Sequence, residues 1–252
     1  MDTSTFAPQN LIDPMLPFKF DDLEPRLHVS RGNVKIGAIP SFNLVPGEGY
    51  ETTRDGYYIA PVFGTCKGVC NTCKSSCYAR RIYRMQRPAT VRAWAENTLL
   101  VRLYPFVFQA LMREWLKENE PRYFRLHVSG EFDNWTYFKI WVGIARWCRG
   151  TVFYTYTKRT DFLERYERDY GRLPDNFVVQ VSMWHDTVKN HTGAPMFIYD
   201  DGTEDLEHIP HCPAVAKPKK PGTLGHKTGV TCLQCKRCMK VGKGAMTAVY
   251  AH

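Results

Sequence analysis

The sequence contains no run of about 18 apolar residues, so no membrane-crossing helix is expected. Its opening, MDTSTFAPQN, lacks a basic stretch followed by an apolar one, so a secretory leader is not expected and a cytoplasmic protein is. No glycine-rich nucleotide loop joins a strand to a helix; Gly242 and Gly244 lack that setting. Internal repeats are absent. Charge is present but mostly dispersed. The formal net charge is +9 and the pI about 9.1, with basic clusters confined to Lys217–Lys220 and to residues 232–243. That balance leaves a nucleic-acid partner open without specifying one.

Cysteine is plentiful: nine residues, of which eight fall into two groups. A chain of 252 residues without a leader is a poor fit to a disulfide-stapled secreted domain. Closely spaced thiols in a reducing compartment read instead as metal ligands. The ninth, Cys148, lies among Trp141, Ile144 and Trp147 and reads as an ordinary buried thiol.

The first 55 residues are rich in Pro, Gly and Asp and read as an irregular N-terminal segment with one short strand at Val34–Ile39. Tyr57–Phe63 reads as a buried strand running into the first cysteine loop. Pro88 opens a helical region in which Val91, Trp94, Ala95 and Leu99 recur at helix spacing, and a second helix follows through Tyr104–Asn119. The pattern then alternates: strand Tyr123–Val128, helix Trp135–Arg149, strand Thr151–Thr157, a helix capped by Asp161 with Glu164 completing a capping box, then strands Phe177–Met183 and Met196–Tyr199. Strands separated by helices imply βαβ crossovers and a parallel sheet. There are too few for an eight-fold barrel, so the expected fold is α/β, a partial (β/α) barrel. The expected organisation is residues 1–55 as the irregular segment, 56–200 as the barrel with the first cluster loop, and 201–252 as a polar, cysteine-rich C-terminal tail ordered by something other than a core.

In that tail, Cys232-x2-Cys235-x2-Cys238 places three thiolates within seven residues. Such a loop can wrap one face of a cubane cluster, with Cys212, followed by Pro213, as the fourth ligand. A Cys-Pro ligand completing a C-x2-C-x2-C run is a ferredoxin pattern, although there it lies downstream. Zinc is the rival; its ligands usually come as two separated pairs. Metal binding would supply the folding free energy that a polar tail lacks.

Near the N-terminus, Cys66-x3-Cys70-x2-Cys73 has the spacing of the radical S-adenosylmethionine (SAM) enzymes. That resemblance implies a 4Fe–4S cluster with one open iron that binds SAM, and one-electron cleavage of SAM to a 5′-deoxyadenosyl radical. Ser129-Gly130-Glu131, after the Tyr123–Val128 strand, looks like the Gly-Gly-Glu motif that binds the SAM amino group in those enzymes. The chain departs from their pattern at Thr72, where an aromatic residue is usual, and in carrying a further cysteine, Cys77. Were all of Cys66, Cys70, Cys73 and Cys77 ligands of one cluster, no iron would stay open.

The stretches IPSFNLVPG, RLHVSGEFDNWTYFKIW, VFYTYTK and HCPA, the Cys77–Ala79 triplet CYA and the closing C-x2-C-x2-C resemble a family of phage-encoded proteins, the gene product eighty-eight family. The resemblance runs from about Ile39 to Cys238. It implies a first ligand group on Cys66, Cys73 and Cys77, with Cys70 the extra residue, and a carboxylate at position 131, where the family usually has Asp. Both ligand sets stay open. Among other residues, His127 could face a substrate or be an interior histidine. Lys158 and Arg159 could bind an anion or be solvated, and His185 with Asp186 could do acid–base chemistry at a strand end.

The leading expectation is a phage-encoded radical-SAM-like enzyme, acting in the host cytoplasm, with two 4Fe–4S clusters and SAM as cofactors and with an unknown substrate or electron donor. The alternatives are a non-enzymatic iron–sulfur protein for electron transfer or structure, and a zinc-stabilised nucleic-acid-binding protein.

Overall fold

A computed structural model describes residues 22–51, 62–85, 88–184, 192–220 and 223–251. They divide into two compact units, each assembled from separate stretches of chain. One draws on residues 1–30, 41–120 and 127–148, and the other on Arg31–Pro40, Pro121–Leu126 and residues from Arg149 onward.

The first unit is mainly helical. Two short strands, β1 (Val29–Ser30) and β2 (Ser41–Phe42), pair antiparallel. The cysteine loop holds two short helices, α1 (Asn71–Ser76) and α2 (Tyr78–Arg84), with Cys77 ending one and starting the next. Then come α3 (Pro88–Leu103), α4 (Pro105–Asn119) and α5 (Trp135–Trp147). Pro105 stands in the first turn of α4, where an amide N–H has no partner to lose. Asn134 caps α5 by accepting from the Tyr137 N–H at 2.9 Å, satisfying one of the orphan donors of a helix start. Helix α4 packs against both α3 and α5. Val45, Val62, Tyr83, Val91, Ala95 and Leu99 form one buried cluster. Phe42, Phe108 and Trp141 form a second, with ring centroids 4.9–5.9 Å apart. Full burial of such side chains contributes about 1.5–3 kcal/mol each.

The second unit is built on five parallel strands side by side: β3 (Tyr123–Leu126), β4 (Val152–Thr157), β5 (Phe177–Met183), β6 (Met196–Asp200) and, from the end of the chain, β9 (Met246–Tyr250). Helix α6 (Thr160–Tyr170) links β4 to β5 and buries Phe162, Leu163 and Tyr166. A small antiparallel pair, β7 (Val215–Ala216) with β8 (His226–Lys227), and one short helical turn, α7 (Cys232–Cys235), complete it. The architecture is mixed α/β with a mostly parallel sheet. No helix among the described residues is long and apolar enough to cross a membrane.

Four expectations are corrected. Val34–Ile39 is a turn, not a strand: Asn33 and Gly37 bond each other's backbones, and the Asn33 side chain accepts from the Lys35 and Ile36 N–H groups. Helix α6 starts two residues early, with Arg159 at its cap and no side-chain cap bond, and Asp161 in the first turn pairs with Arg159. The tail does have a core of its own, because β9 adds a strand beside β6 and Ala248 packs with Leu206, Ile209 and Ile198. Cys148 is half-buried, since α5 ends there and its last turn reaches the surface. Two readings fall outside the described residues: most of the Tyr57–Phe63 strand, and His185 with Asp186.

Candidate metal centres

In the first unit, backbone hydrogen bonds hold the chain tightly as it reaches Cys66. The Thr65 and Cys66 N–H groups donate to the Val45 and Gly47 carbonyls at 3.0 and 2.8 Å. Burial pushes the Cys66 thiol pKa up, and the Glu131 carboxylate, Cys77 and Cys73 push the same way. The Glu131 carboxylate and the Cys73 and Cys77 thiols thus lie within electrostatic reach of the Cys66 sulfur. The Cys70 sulfur caps α1 by accepting from the Cys73 N–H at 3.5 Å, which holds it beside Cys73.

The Ser129–Glu131 turn is built as much by structure as by chemistry. The Ser129 hydroxyl donates to the Leu44 carbonyl at 2.9 Å, and Asn43 Oδ1 accepts from the Val128 and Ser129 N–H groups. Gly130 has φ +84°, and a Cβ there would lie 2.7 Å from Leu44 Cβ and 2.8 Å from Thr65 Oγ1, so glycine is required. The Glu131 N–H donates to Thr65 Oγ1 at 3.0 Å, and its carboxylate accepts from the Phe132 N–H at 2.8 Å. Glu131 is thus buried and fixed beside Cys66. Tyr78, next to Cys77, donates its hydroxyl to the Val128 carbonyl and ties the cysteine loop to this turn.

Sequence reasoning missed the clamp behind this site. Arg102 of α3 makes a bidentate pair with Asp133 at 2.7 and 3.0 Å and donates to the Phe63 and Gly64 carbonyls at 2.7 and 3.1 Å. One guanidinium therefore joins the chain just before Cys66 to the chain just after Glu131. Nothing local in the sequence marks Arg102; Asp133, two residues past Glu131, was the available hint. His127 is an interior histidine, 4% exposed, with Nε2 2.9 Å from the Tyr137 hydroxyl and its ring edge-on to Phe132.

In the second unit, the thiols of Cys212, Cys232, Cys235 and Cys238 lie within electrostatic reach of one another. Thr231 opens α7 with a complete capping box to Gln234, and Lys236 turns the chain at φ +57° before Cys238. The Cys232 N–H donates to the Lys35 carbonyl at 3.0 Å, and the Cys212 N–H to the Ala248 carbonyl at 2.7 Å. Burial raises the Cys212 and Cys232 pKa values against the pull of Lys35 and Arg125, and burial lowers that of Lys35. Beside Cys212, both ring nitrogens of His211 are engaged, one with the Ile209 carbonyl and one with Asp200, each at 2.8 Å. Lys158 reaches Ser182 Oγ at 3.3 Å and lies over the Trp184 ring, while Arg159 pairs with Asp161. Among the described residues no three or more His, Cys, Asp or Glu side chains converge on a point suited to a single metal ion.

Fold and sites together define a mixed α/β protein that carries two separate cysteine groups, one in each unit. The chain belongs to the Gene product 88 family, whose pattern it matches over residues 29–241. It is similar to the Gene 88 protein of Mycobacterium phage D29, with 23% identity over 141 residues, covering 52% of this chain and 53% of that protein. It therefore spans about half the length of this curated relative. No solved structure matches it.

Proposed function

We propose that this is a phage iron–sulfur protein with two 4Fe–4S centres, and that the N-terminal one makes it a radical-SAM-like enzyme. The observation that carries the reading is a buried Cys66 thiol with the Glu131 carboxylate, Cys73 and Cys77 within electrostatic reach, and with the Cys70 sulfur held against the Cys73 N–H. Ligation by three of these four cysteines, as in the radical-SAM spacing Cys66-x3-Cys70-x2-Cys73, would leave one coordination position for a small molecule. Both donor sets are thiols near one another that do not converge on one point. A cube, whose thiolates each take a different corner, fits such a set better than one tetrahedral ion does. When bound, the N-terminal group supplies one electron at a time and an open coordination site.

The chain's own contribution is positional. Three of Cys66, Cys70, Cys73 and Cys77 would hold the group, Thr65 and Gly130 set the Glu131 turn beside Cys66, and Glu131 would accept a hydrogen bond from the amino group of SAM. The side-by-side order of β3 to β6 supports a partial barrel of the radical-SAM type over a doubly wound sheet. In the second unit, Cys212, Cys232, Cys235 and Cys238 would hold the auxiliary centre.

The test is to reconstitute the protein anaerobically, reduce it with dithionite, add SAM and assay 5′-deoxyadenosine while recording the paramagnetic spectrum. The expected result is cleavage and a changed spectrum, with SAM affinity reduced roughly ten- to hundred-fold in Glu131→Ala, the loss of one charge-assisted hydrogen bond. Full iron with neither cleavage nor spectral change would leave a non-enzymatic iron–sulfur protein.

A further inference from the structure

We propose that Arg125, Tyr154 and Tyr156 form a shell that raises the reduction potential of the C-terminal cysteine centre above that of the N-terminal one, making it a redox centre and not only a structural staple. The inference rests on the iron–sulfur reading above.

The strand register assembles the shell. Arg125 of β3 stands opposite Tyr154 of β4, and Tyr156 stands opposite Gln180 of β5. Alternate residues of a strand share a face, so these four side chains lie on one side of the sheet. Arg125 is 8% exposed, with its guanidinium carbon 4.0 Å from the Tyr156 ring centroid and 5.1 Å from that of Tyr154. The cysteine segment is laid on the same face. Gln180 Nε2 donates to the Cys238 carbonyl at 3.1 Å, and the Arg237–Met239 turn packs against β4. The Tyr154 hydroxyl is buried beside Cys232, and the Tyr156 hydroxyl lies beside Cys238. The Arg125 charge acts on Cys232, and Lys35 acts on both Cys212 and Cys232.

Two cations and two phenol hydroxyls therefore face the sulfurs of one centre. Reduction by one electron adds one negative charge to that centre, with no bond made or broken in the protein. Positive charge and hydrogen-bond donors at the sulfurs stabilise the reduced form, and the low local dielectric strengthens both effects. The N-terminal group has the opposite surroundings, with the Glu131 carboxylate beside Cys66.

The test is a dithionite redox titration, followed by electron paramagnetic resonance, of reconstituted full-length protein, of Arg125→Gln and of Tyr156→Phe. A Cys66→Ser variant of each removes the N-terminal signal. The expected result is that the C-terminal centre of the parent is reduced first. In Arg125→Gln its reduction equilibrium constant should fall at least tenfold, about 59 mV for one electron, with a smaller fall in Tyr156→Phe and no movement of the N-terminal step. Should Arg125→Gln fail to hold iron, Tyr156→Phe decides, because it keeps the ring and removes only the hydroxyl. Full iron with an unshifted C-terminal step, or an equal shift of both steps, would overturn this inference alone. A parent whose tail binds no iron would overturn the iron–sulfur reading and this inference with it.

Discussion

At the scale of single residues, stability of the first site depends on a few buried charges. Arg102 and Asp133 have side chains 11% and 5% exposed and are joined by two hydrogen bonds. Arg102→Ala would leave Asp133 buried without its cation and remove the donors to the Phe63 and Gly64 carbonyls. Breaking one side of a buried pair is destabilising by about 3–5 kcal/mol, and urea denaturation should read a loss of that size; a loss below about 1 kcal/mol would show that solvent already screens the pair. Glu96 behaves differently. Burial alone would raise its pKa, but hydrogen bonds from Arg92 and His28 outweigh burial and hold the carboxyl below the usual carboxylate range. Between the folded and unfolded pKa values the unfolded chain binds more protons, so stability rises with pH there. The contribution is complete above the unfolded value, about 4.3, and is lost as pH falls through the lower folded value. Denaturation midpoints measured from neutral pH down through the carboxylate range should fall less steeply in Glu96→Gln than in the parent. Equal slopes would mean that other carboxylates dominate acid unfolding. Arg102 did not stand out in the sequence because Asp133 is 31 residues away, and Glu96 only in part, because Arg92 stands at helix spacing but His28 is 68 residues away.

At the scale of elements, the tail is held in two ways. Strand β9 pairs with β6 and buries Thr247, Ala248 and Val249, whereas α7 and the Arg237–Met239 turn bury little beyond Met239. Cys235→Ser should therefore loosen the turn around residues 231–239 and leave β9 in place, since a lost ligand removes metal-derived folding free energy only where no core replaces it. Hydrogen exchange should show lost protection in that turn and retained protection in Met246–Tyr250. Protection unchanged in both would mean that packing, not metal, orders the turn. Helix spacing and alternation were enough to read α3, α4, β4, β5 and β6 to within a residue or so. They misplaced Val34–Ile39 because its apolar residues suggested a strand while Gly32, Gly37 and the Asn33 side chain impose a turn. They missed β9 because MTAVY is short and follows a long polar stretch, and its burial comes only from the distant β6.

At the scale of the whole molecule, the proposal of two metal centres rests on the two cysteine groups, one in each unit. Anaerobically prepared protein is expected to be brown and to carry about eight irons per chain with matching sulfide. Stoichiometric zinc without sulfide would replace the cluster reading with the zinc one.

The order of helices and strands, the parallel connections and the two groups of thiols were determined by the sequence itself, because periodicity and ligand spacing are local and survive in a linear reading. Which of Cys66, Cys70, Cys73 and Cys77 stand together, what carboxylate they face, and which cations surround Cys232 were decided by tertiary structure. The Cys70 sulfur is held beside Cys73 by an N–H···S contact that only the start of α1 creates. Arg102 and Asp133, or Arg125, Tyr154 and Cys232, meet across 29 to 107 residues through helix packing and strand register. Such meetings depend on how elements pack and pair, and no spacing rule within one element carries that information.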